Sequence, residues 1–568
     1  MFEILKVSYK FAIVLILIFA LILRVWLLDL VPVSLFGDEV DIGYHAYSLL
    51  HTGRDYSGNF LPLHLKSLAD IKTPLYTYSI IPTVAVFGIS ALGVRLPAAI
   101  FGVLGIYLFY LLINLIFKNK SLALLSAFLL TISPWHMHYS RWGFEGTEML
   151  TLYLAGLYCF LKSFGSNKWL VLAAVFFGLT PASYHSAKVF LPFNLIALVI
   201  IYFKQIKNIE RKYLIISAII FTLVVTPFAV STLFGGGTDR FQSTTIFQDP
   251  TMEGKIGFDR VRDVKMQDPF NRFFHNKVNY FSSILINNYL EAFSTQFLFI
   301  KGDPEPTHTP EGFGEFYQFE AIFMILGVVF LFFKNDKKTI LLFTSWILLA
   351  PLPSILTREG GHHASRLLFL LPPLIFLTSL GIYNSHSLLK RFKYTFAIGI
   401  SVVLFLSFLF YEHNYWVHYP WDSQRWWHAG FKEAIQATVS EGKKYDKVII
   451  SGADEPPLIF FLGWSQFPPL EFQQNYPLAK INLEGIGEVS KLGKYYFPPI
   501  GKERGLYELG KILPDSTLYL ATAKEIKLDL IKEPGRVPSD LILIKSFPYP
   551  SGDGAFYLFT KNEKPKTT

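Results

Sequence analysis

Two adjacent carboxylates, Asp38 and Glu39, follow shortly after the first long apolar run of the sequence. A carboxylate in such a place can take a proton from an acceptor hydroxyl or bind a cation. Asp38 is the natural candidate for the base. Alternatively, Asp38 caps a helix over residues 39–50, with Asp41 three residues later resembling a capping box. The two interpretations are compatible.

A lysine, Lys72, stands farther along the same polar segment, in the sequence Asp-Ile-Lys-Thr-Pro-Leu-Tyr. Its ammonium group would be a good point-charge partner for the phosphate of a lipid. The alternative is a lysine that lays its stem along the membrane and keeps its charge in water.

A third polar segment carries Arg141, Glu145 and Glu148, spaced by four and three residues. On a helix they would share one face. That face is either a salt-bridged structural stripe, or Arg141 orients Asp38 or holds a phosphate. The nearby pair His136 and His138 alternates, which argues against two metal ligands on one helical face.

Two more short segments each contain histidine and a basic residue. They are Tyr-His185-Ser-Ala-Lys188 and His362-His363-Ala-Ser-Arg366. Arg366 opens an apolar run and suits an anionic ligand. The paired histidines suggest zinc, but no cysteine ligand and no second spaced histidine pair supports it, so no metal is assigned. The further candidates for a cavity lining are Asp41, His45, Glu145, His185, Lys188, His362 and His363.

The composition indicates a membrane protein. Of 568 residues, 52% are hydrophobic and only 17% are charged, with 55 Phe and 30 Tyr, whereas soluble domains carry about a quarter charged residues. A single cysteine, Cys159, excludes a disulfide framework within the chain. The net charge of +9 is spread over short clusters between apolar runs, which is typical of membrane topology and does not indicate nucleic acid.

About eleven apolar runs are candidates for transmembrane helices, since a bilayer core needs roughly 20 apolar residues in helical form. They are 11–30, 95–117, 121–135, 148–163, 168–182, 189–203, 213–232, 319–333, 339–356, 366–384 and 394–412.

The loop charges predict the orientation. If the N-terminus is cytoplasmic, Lys and Arg fall on the short cytoplasmic connections, as the positive-inside rule requires. The basic residues concerned are Lys118, Lys120, Lys162, Lys168, Lys204, Lys207, Arg211, Lys212, Lys334, Lys337, Lys338, Lys390, Arg391 and Lys393. The irregular segments 31–94 and 233–318 and the C-terminal part then lie outside, and long loops are usually functional.

The C-terminal part, 413–568, changes in composition. Short apolar segments at 447–451, 518–521 and 541–545 read as buried strands, and 427–439 reads as a helix. This alternation predicts a small extracytoplasmic α/β domain behind a transmembrane domain of residues 1–412.

The order of these motifs resembles a known family. The Asp38-Glu39 pair is followed by Lys-Thr-Pro-Leu-Tyr, Gly-Val-Arg95-Leu-Pro-Ala, Ser-Pro-Trp-His, Ser-Arg-Trp-Gly-Phe-Glu and His-Ala-Ser-Arg. Over roughly residues 10–412 this resembles the GT-C membrane glycosyltransferases, in particular the bacterial relatives of protein O-mannosyltransferases and the lipid A aminoarabinose transferase. The outer segment with Gly302-Asp303 and Gly312-Phe313-Gly314-Glu315 is similar too.

The resemblance implies the GT-C fold and an inverting hexosyl- or pentosyltransferase that uses a polyprenyl-phosphate sugar. It implies that Asp38 is the catalytic base with Glu39 in support, that Lys72 faces donor phosphate, and that Arg141 pairs near the catalytic acid. In the mechanism that we expect, the donor phosphate is held by Lys72 together with Arg366 or Arg141. The aminoarabinose transferase has a zinc-binding carboxylate just before that lysine, where this chain has Ile71, so a divalent metal is not favoured and no cofactor is expected. The acceptor is expected to be a protein, lipid or glycan, with membrane lipid around the spans.

Two other classes compete with an enzyme. A transporter or flippase would carry ionisable residues near the middle of the membrane and repeated halves with broken helices. The sequence has few charges within the runs and no repeat. A non-catalytic scaffold would leave Asp38 as a helix cap only.

Overall fold

Each of the eleven apolar runs predicted from the sequence overlaps a helix of the structure. The structure, a computed structural model, describes residues 8–68, 70–235, 237–483, 485–501 and 503–562. The first seven residues, whose cytoplasmic placement the charge pattern predicts, lie outside these ranges.

The α-helices are α1 (Tyr9–Val25), α2 (Gly37–Thr52), α3 (Leu75–Phe87), α4 (Ala91–Phe117), α5 (Lys120–Ile132), α6 (Pro134–Tyr139), α7 (Glu145–Lys162), α8 (Trp169–Ser183), α9 (His185–Ile201), α10 (Phe203–Ile206), α11 (Arg211–Phe234), α12 (Asp239–Thr244), α13 (Met252–Lys265), α14 (Asn271–Phe274), α15 (Lys277–Glu291), α16 (Glu320–Lys334), α17 (Lys337–Leu349), α18 (Leu352–Ile355), α19 (Leu371–Leu388), α20 (Lys393–His413), α21 (Tyr419–Asp422), α22 (Phe431–Glu441), α23 (Pro457–Trp464), α24 (Pro469–Gln474), α25 (Leu506–Ile512) and α26 (Ala523–Ile526). The strands are β1 (Leu65–Lys66), β2 (Ile71–Lys72), β3 (Lys447–Ile450), β4 (Ala479–Leu483), β5 (Gly487–Leu492), β6 (Tyr495–Phe497), β7 (Thr517–Thr522), β8 (Leu541–Pro548) and β9 (Gly554–Lys561).

Five helical segments among the described residues are long and apolar enough to cross a membrane: Ala91–Phe117, Arg211–Phe234, Lys337–Ile355, Leu368–Leu388 and Lys393–Asp422. Shorter apolar helices are Leu75–Phe87, Lys120–Ile132, Trp169–Ser183 and His185–Ile201. The chain is thus an integral membrane protein, and the expected total of about eleven spans stays a prediction beyond these five.

The chain divides into two compact units. The helical unit comprises Met1–Trp26, Ala69–Tyr76 and Pro97–Asn414, and the mixed unit comprises Leu27–Leu68, Thr77–Leu96 and Tyr415–Thr568. Both units are therefore discontinuous in sequence. Whether residues 1–412 carry the catalytic function by themselves stays a prediction.

Within the helical unit, α16 and α19 cross with their backbones in contact. A Cβ atom on Gly327 would lie 1.9 Å from the carbonyl oxygen of Leu377, and one on Gly381 would lie 2.0 Å from that of Phe323. Small residues permit such close helix crossings in membrane proteins, where dispersion forces drive helix association.

The mixed unit contains the α/β fold expected near the C-terminus. Its seven-stranded sheet has the order β4-β5-β6-β3-β7-β9-β8. Strand β3 runs parallel to both β6 and β7, and the remaining pairs are antiparallel. Side chains such as Ile449, Tyr519 and Phe559 are buried in its core.

One expectation about a segment end is wrong. Helix α1 ends at Val25 and not near residue 30, because the backbone leaves the helical region at Trp26 and reaches a positive φ of 47° at Leu27. In the segment 31–94, α2 agrees with the interpretation of a helix over residues 39–50, whereas the sequence did not predict α3. Helix α2 buries polar side chains, so hydropathy alone does not reveal it.

Candidate active site

Glu39 and Arg95 form a fully buried ion pair in the mixed unit. Arg95 donates from Nε to Oε1 of Glu39 at 2.7 Å and from Nη2 to Oε2 at 2.9 Å. Both side chains are 0% exposed. The guanidinium also donates to backbone carbonyls of Leu28, Pro32 and Ser34. Such two-point pairing fixes the geometry of the carboxylate.

The same carboxylate of Glu39 closes the N-terminus of α2, since its Oε2 accepts from the backbone N–H of Phe36 at 3.0 Å. The expected helix cap is therefore misassigned. Phe36 occupies the N-cap position, and Glu39 rather than Asp41 makes the reciprocal bond. Asp38 lies in the first turn of α2 and is exposed, where the helix dipole favours a negative charge.

Asp41 and His45 belong to a buried network. The hydroxyls of Tyr56 and Ser67 donate to the two oxygens of Asp41, each at 2.6 Å. His45 stacks on Tyr56 with ring centroids 3.9 Å apart, and its Nε2 lies 3.1 Å from Ser67 Oγ. Burial and the charge of Asp41 raise the pKa of Tyr56 well above its usual value. These contacts anchor α2 to the segment that follows it.

Lys72 lies in the helical unit and is 4% exposed. Its neighbour Thr73 donates to the carbonyl of Ser183 at 2.7 Å, and Nε2 of His185 lies 3.3 Å from the carbonyl oxygen of Ile71. The segment 71–73 is thus attached to the junction of α8 and α9. This burial argues against the alternative in which Lys72 keeps its ammonium group in water. Lys188 is half-buried in the first turn of α9.

Arg141, Glu145 and Glu148 do not share a helical face, so the predicted stripe is wrong. Arg141 lies in the turn between α6 and α7, because α6 ends at Tyr139 and α7 begins only at Glu145. Arg141 is fully buried and donates to the carbonyl of Leu23 at 2.8 Å. Glu148 accepts from the hydroxyl of Ser183 at 2.8 Å.

Arg24 is a buried cation outside the sequence motifs described above. It is 0% exposed in the last turn of α1. Its guanidinium lies 2.7 Å from Nδ1 of His136 and donates to the carbonyls of Ala20 and Thr131. The signal in the sequence was an arginine within the first apolar run, since ionisable residues in membrane segments are rare and usually functional.

The two adjacent histidines face different partners within the helical unit. Nδ1 of His362 lies 3.5 Å from a carboxylate oxygen of Glu291, whereas His363 lies beside Asp303 and His308, which come from a distant loop. Arg366 is half-buried and donates to the hydroxyl of Thr357 at 2.6 Å.

The mixed unit also contains a cavity of about 570 Å³. Its lining includes two carboxylates, two lysines and three aromatic rings, namely Asp29, Glu433, Lys432, Lys545, Trp464, Phe547 and Tyr549. Charged and aromatic side chains in one cavity can bind a polar molecule.

Known proteins are similar to this chain in part of its sequence and in its fold. Residues 71–230 match the family described as dolichyl-phosphate-mannose-protein mannosyltransferase. No curated protein sequence matches the chain. The structure of ArnT from Cupriavidus metallidurans bound to undecaprenyl phosphate is similar over 96% of this chain and 97% of that chain, with 11% identity and a TM-score of 0.51.

Two other structures have lower TM-scores. The oligosaccharyltransferase AglB from Archaeoglobus fulgidus, in complex with an inhibitory peptide and a dolichol-phosphate, has 12% identity and a TM-score of 0.48 over 82% of this chain. This chain spans 64% of the length of AglB. The S. cerevisiae protein O-mannosyltransferase Pmt1-Pmt2 complex has 18% identity and a TM-score of 0.31, covering 40% of this chain and 33% of that chain.

The family match over residues 71–230 and the shared fold make the chain similar to the GT-C membrane glycosyltransferases. The resemblance noted from the sequence motifs is thereby confirmed.

Proposed function

We propose that the protein transfers a sugar from a polyprenyl-phosphate carrier to an acceptor hydroxyl, with inversion, on the extracytoplasmic side of the membrane. The proposal includes a cytoplasmic N-terminus and an extracytoplasmic C-terminal domain. It draws its donor class from the family match over residues 71–230 and from ArnT, which binds undecaprenyl phosphate.

One observation carries the assignment of the base. Of the two adjacent carboxylates, Glu39 is buried and paired with Arg95, whereas Asp38 is exposed at the start of α2. The carboxylate of Glu39 is thus occupied by its bonds to Arg95 and to the backbone N–H of Phe36. Asp38 is the carboxylate that solvent, and therefore an acceptor, can reach.

In the proposed reaction, the acceptor oxygen attacks the anomeric carbon while its proton passes to the carboxylate of Asp38. The bond from the anomeric carbon to the phosphate oxygen breaks, and the carrier leaves as polyprenyl phosphate. A single displacement of this kind inverts the anomeric centre. Glu39 acts as a positioning residue through its bonds to Phe36 and Arg95.

The departing phosphate needs positive charge, because electrostatic stabilisation of the charge that develops in the transition state usually contributes most to catalysis. We propose Lys72, Arg141 and Arg366 for this role. Lys72 and Arg141 are buried, and a desolvated cation interacts more strongly with a phosphate than one in water.

The proposal is tested with the purified full-length chain in detergent. Radiolabelled polyprenyl-phosphate sugars, the matching nucleotide sugars and polyprenyl-diphosphate sugars would be offered with a membrane extract as the acceptor source. We expect transfer from a polyprenyl-phosphate sugar alone. Transfer only from a nucleotide sugar would contradict the proposal. So would movement of the intact lipid across proteoliposomes without transfer, which is the behaviour of a flippase.

A further inference from the structure

Two loops of the helical unit bring three metal-ligating side chains together. Asp303 and His308 lie between the π-helical turn Gln296–Ile300 and α16, and His363 lies in the loop before α19. One ligand atom from each of the three lies within 4.8 Å of the others. None of the three belongs to the carboxylate pair at α2 or to the cations proposed to bind phosphate.

We propose that Asp303, His308 and His363 bind a zinc ion, with water in the fourth position. Two imidazoles and one carboxylate are a common protein ligand set for zinc with an open position. Zinc bonds of about 2.0–2.1 Å place tetrahedral ligand atoms roughly 3.4 Å apart. The distances from Oδ2 of Asp303 are 2.8 Å to Nδ1 of His308 and 4.0 Å to Nδ1 of His363, which bracket that value.

The carboxylate of Asp303 is held in place before any ion binds. Its Oδ1 accepts from the backbone N–H of Glu305, and its Oδ2 accepts from that of Ala364. The second bond joins the two loops directly. Gly302, which precedes Asp303, has a φ of +67°, and a Cβ there would meet the Thr309 side chain at 2.4 Å. Hydrogen bonds to a ligating carboxylate, such as those from Glu305 and Ala364, orient it toward a metal ion.

The hydroxyl that contacts His363 has a second partner. Nδ1 of His363 lies 3.0 Å from the hydroxyl of Ser365, which is itself 3.2 Å from the hydroxyl of Tyr184. When Nδ1 of His363 binds zinc, Ser365 keeps Tyr184 as its partner. The side chains of His308 and His363 are each 16% exposed, which leaves a path for the ion and its water.

The simpler explanation is an ion pair between His308 and Asp303 with His363 as a neighbour. A measurement of bound zinc distinguishes this ion pair from a zinc site. The purified full-length chain would be stripped with a chelator, given Zn²⁺ and analysed for bound metal, and Co²⁺ would be used as a spectroscopic substitute. We expect about one zinc per chain and the visible absorption of tetrahedral Co²⁺.

His362 supplies a matched control, because it is adjacent to His363 but faces Glu291. His363→Gln and His308→Gln should lower the zinc affinity by about 100-fold or more, whereas His362→Gln should keep it. Equal zinc binding by His362→Gln and His363→Gln, or a wild-type chain without stoichiometric zinc and without the Co²⁺ spectrum, would overturn the proposal. The wild-type Co²⁺ spectrum does not depend on the folding of any variant.

Discussion

Arg95 holds Glu39 through two hydrogen bonds of 2.7 Å and 2.9 Å in the interior of the mixed unit, 56 residues apart in sequence. Removing one partner of such a pair leaves a buried charge unpaired, which typically costs about 3–5 kcal/mol. We therefore expect Arg95→Met to lower the thermal stability of the detergent-solubilised chain strongly.

The control is the double variant Glu39→Leu with Arg95→Met, since replacing both charges by apolar groups is often close to neutral. It should recover part of the lost stability. Arg95 also donates to three backbone carbonyls, so recovery should be incomplete. A single Arg95→Met variant with the melting temperature of the wild type would show that the pair does not stabilise the fold.

Lys72→Met tests the proposed contact with donor phosphate. The substitution keeps the length of the side chain and removes its charge, so we expect the affinity for undecaprenyl phosphate to fall by about 10-fold or more. Lys66→Met is the control, because Lys66 is exposed and lies only six residues away. Titration of the labelled lipid measures both. Unchanged affinity in Lys72→Met would remove Lys72 from the donor site.

Gly381 tests the close crossing of α16 and α19. A methyl group there would meet the carbonyl oxygen of Phe323 at 2.0 Å, and overpacking of this kind typically costs about 1–3 kcal/mol. Gly381→Ala should therefore lower the melting temperature. Gly399→Ala, in α20, has open space around its Cβ and should be neutral or slightly stabilising. Equal melting temperatures would argue against backbone contact at the crossing.

The buried side chain of Glu525 should make the stability of the C-terminal sheet domain depend on pH. Burial raises the pKa of Glu525 to about 7 from 4.5, and Tyr519 donates to its Oε1 at 2.7 Å. The folded chain binds this proton more tightly than the unfolded chain. Protonated Glu525 therefore makes its whole contribution to the free energy of unfolding below about pH 4.5. This contribution is lost as the pH rises through about 7.

Glu525→Gln removes this titration. Relative to the variant, the wild type should lose on the order of 3 kcal/mol between pH 4.5 and pH 8. Hydrogen exchange of the β7 peptide as a function of pH measures the difference. Parallel pH profiles of the two proteins would contradict the assignment.

The sequence allowed the apolar helices and the α/β character of the C-terminal part to be predicted, because hydrophobic runs and strand patterns are local signals. The partners of the polar residues could not be predicted, because they lie far away in the sequence. Arg95 reaches Glu39, and His308 reaches His363, across long stretches of chain. The stripe of Arg141, Glu145 and Glu148 failed because a turn separates the first residue from the helix. Arg24 carried a readable signal, an arginine within an apolar run.

Asp38 is the proposed base of sugar transfer. Its most direct test is the single-turnover rate of transfer from a labelled polyprenyl-phosphate sugar by Asp38→Asn, with the exposed Asp422→Asn as the control. Loss of a general base typically lowers the rate by about 10²–10⁴-fold. We expect a loss of that size in Asp38→Asn, with donor affinity and melting temperature unchanged and Asp422→Asn fully active. Transfer by Asp38→Asn at the wild-type rate would contradict the claim.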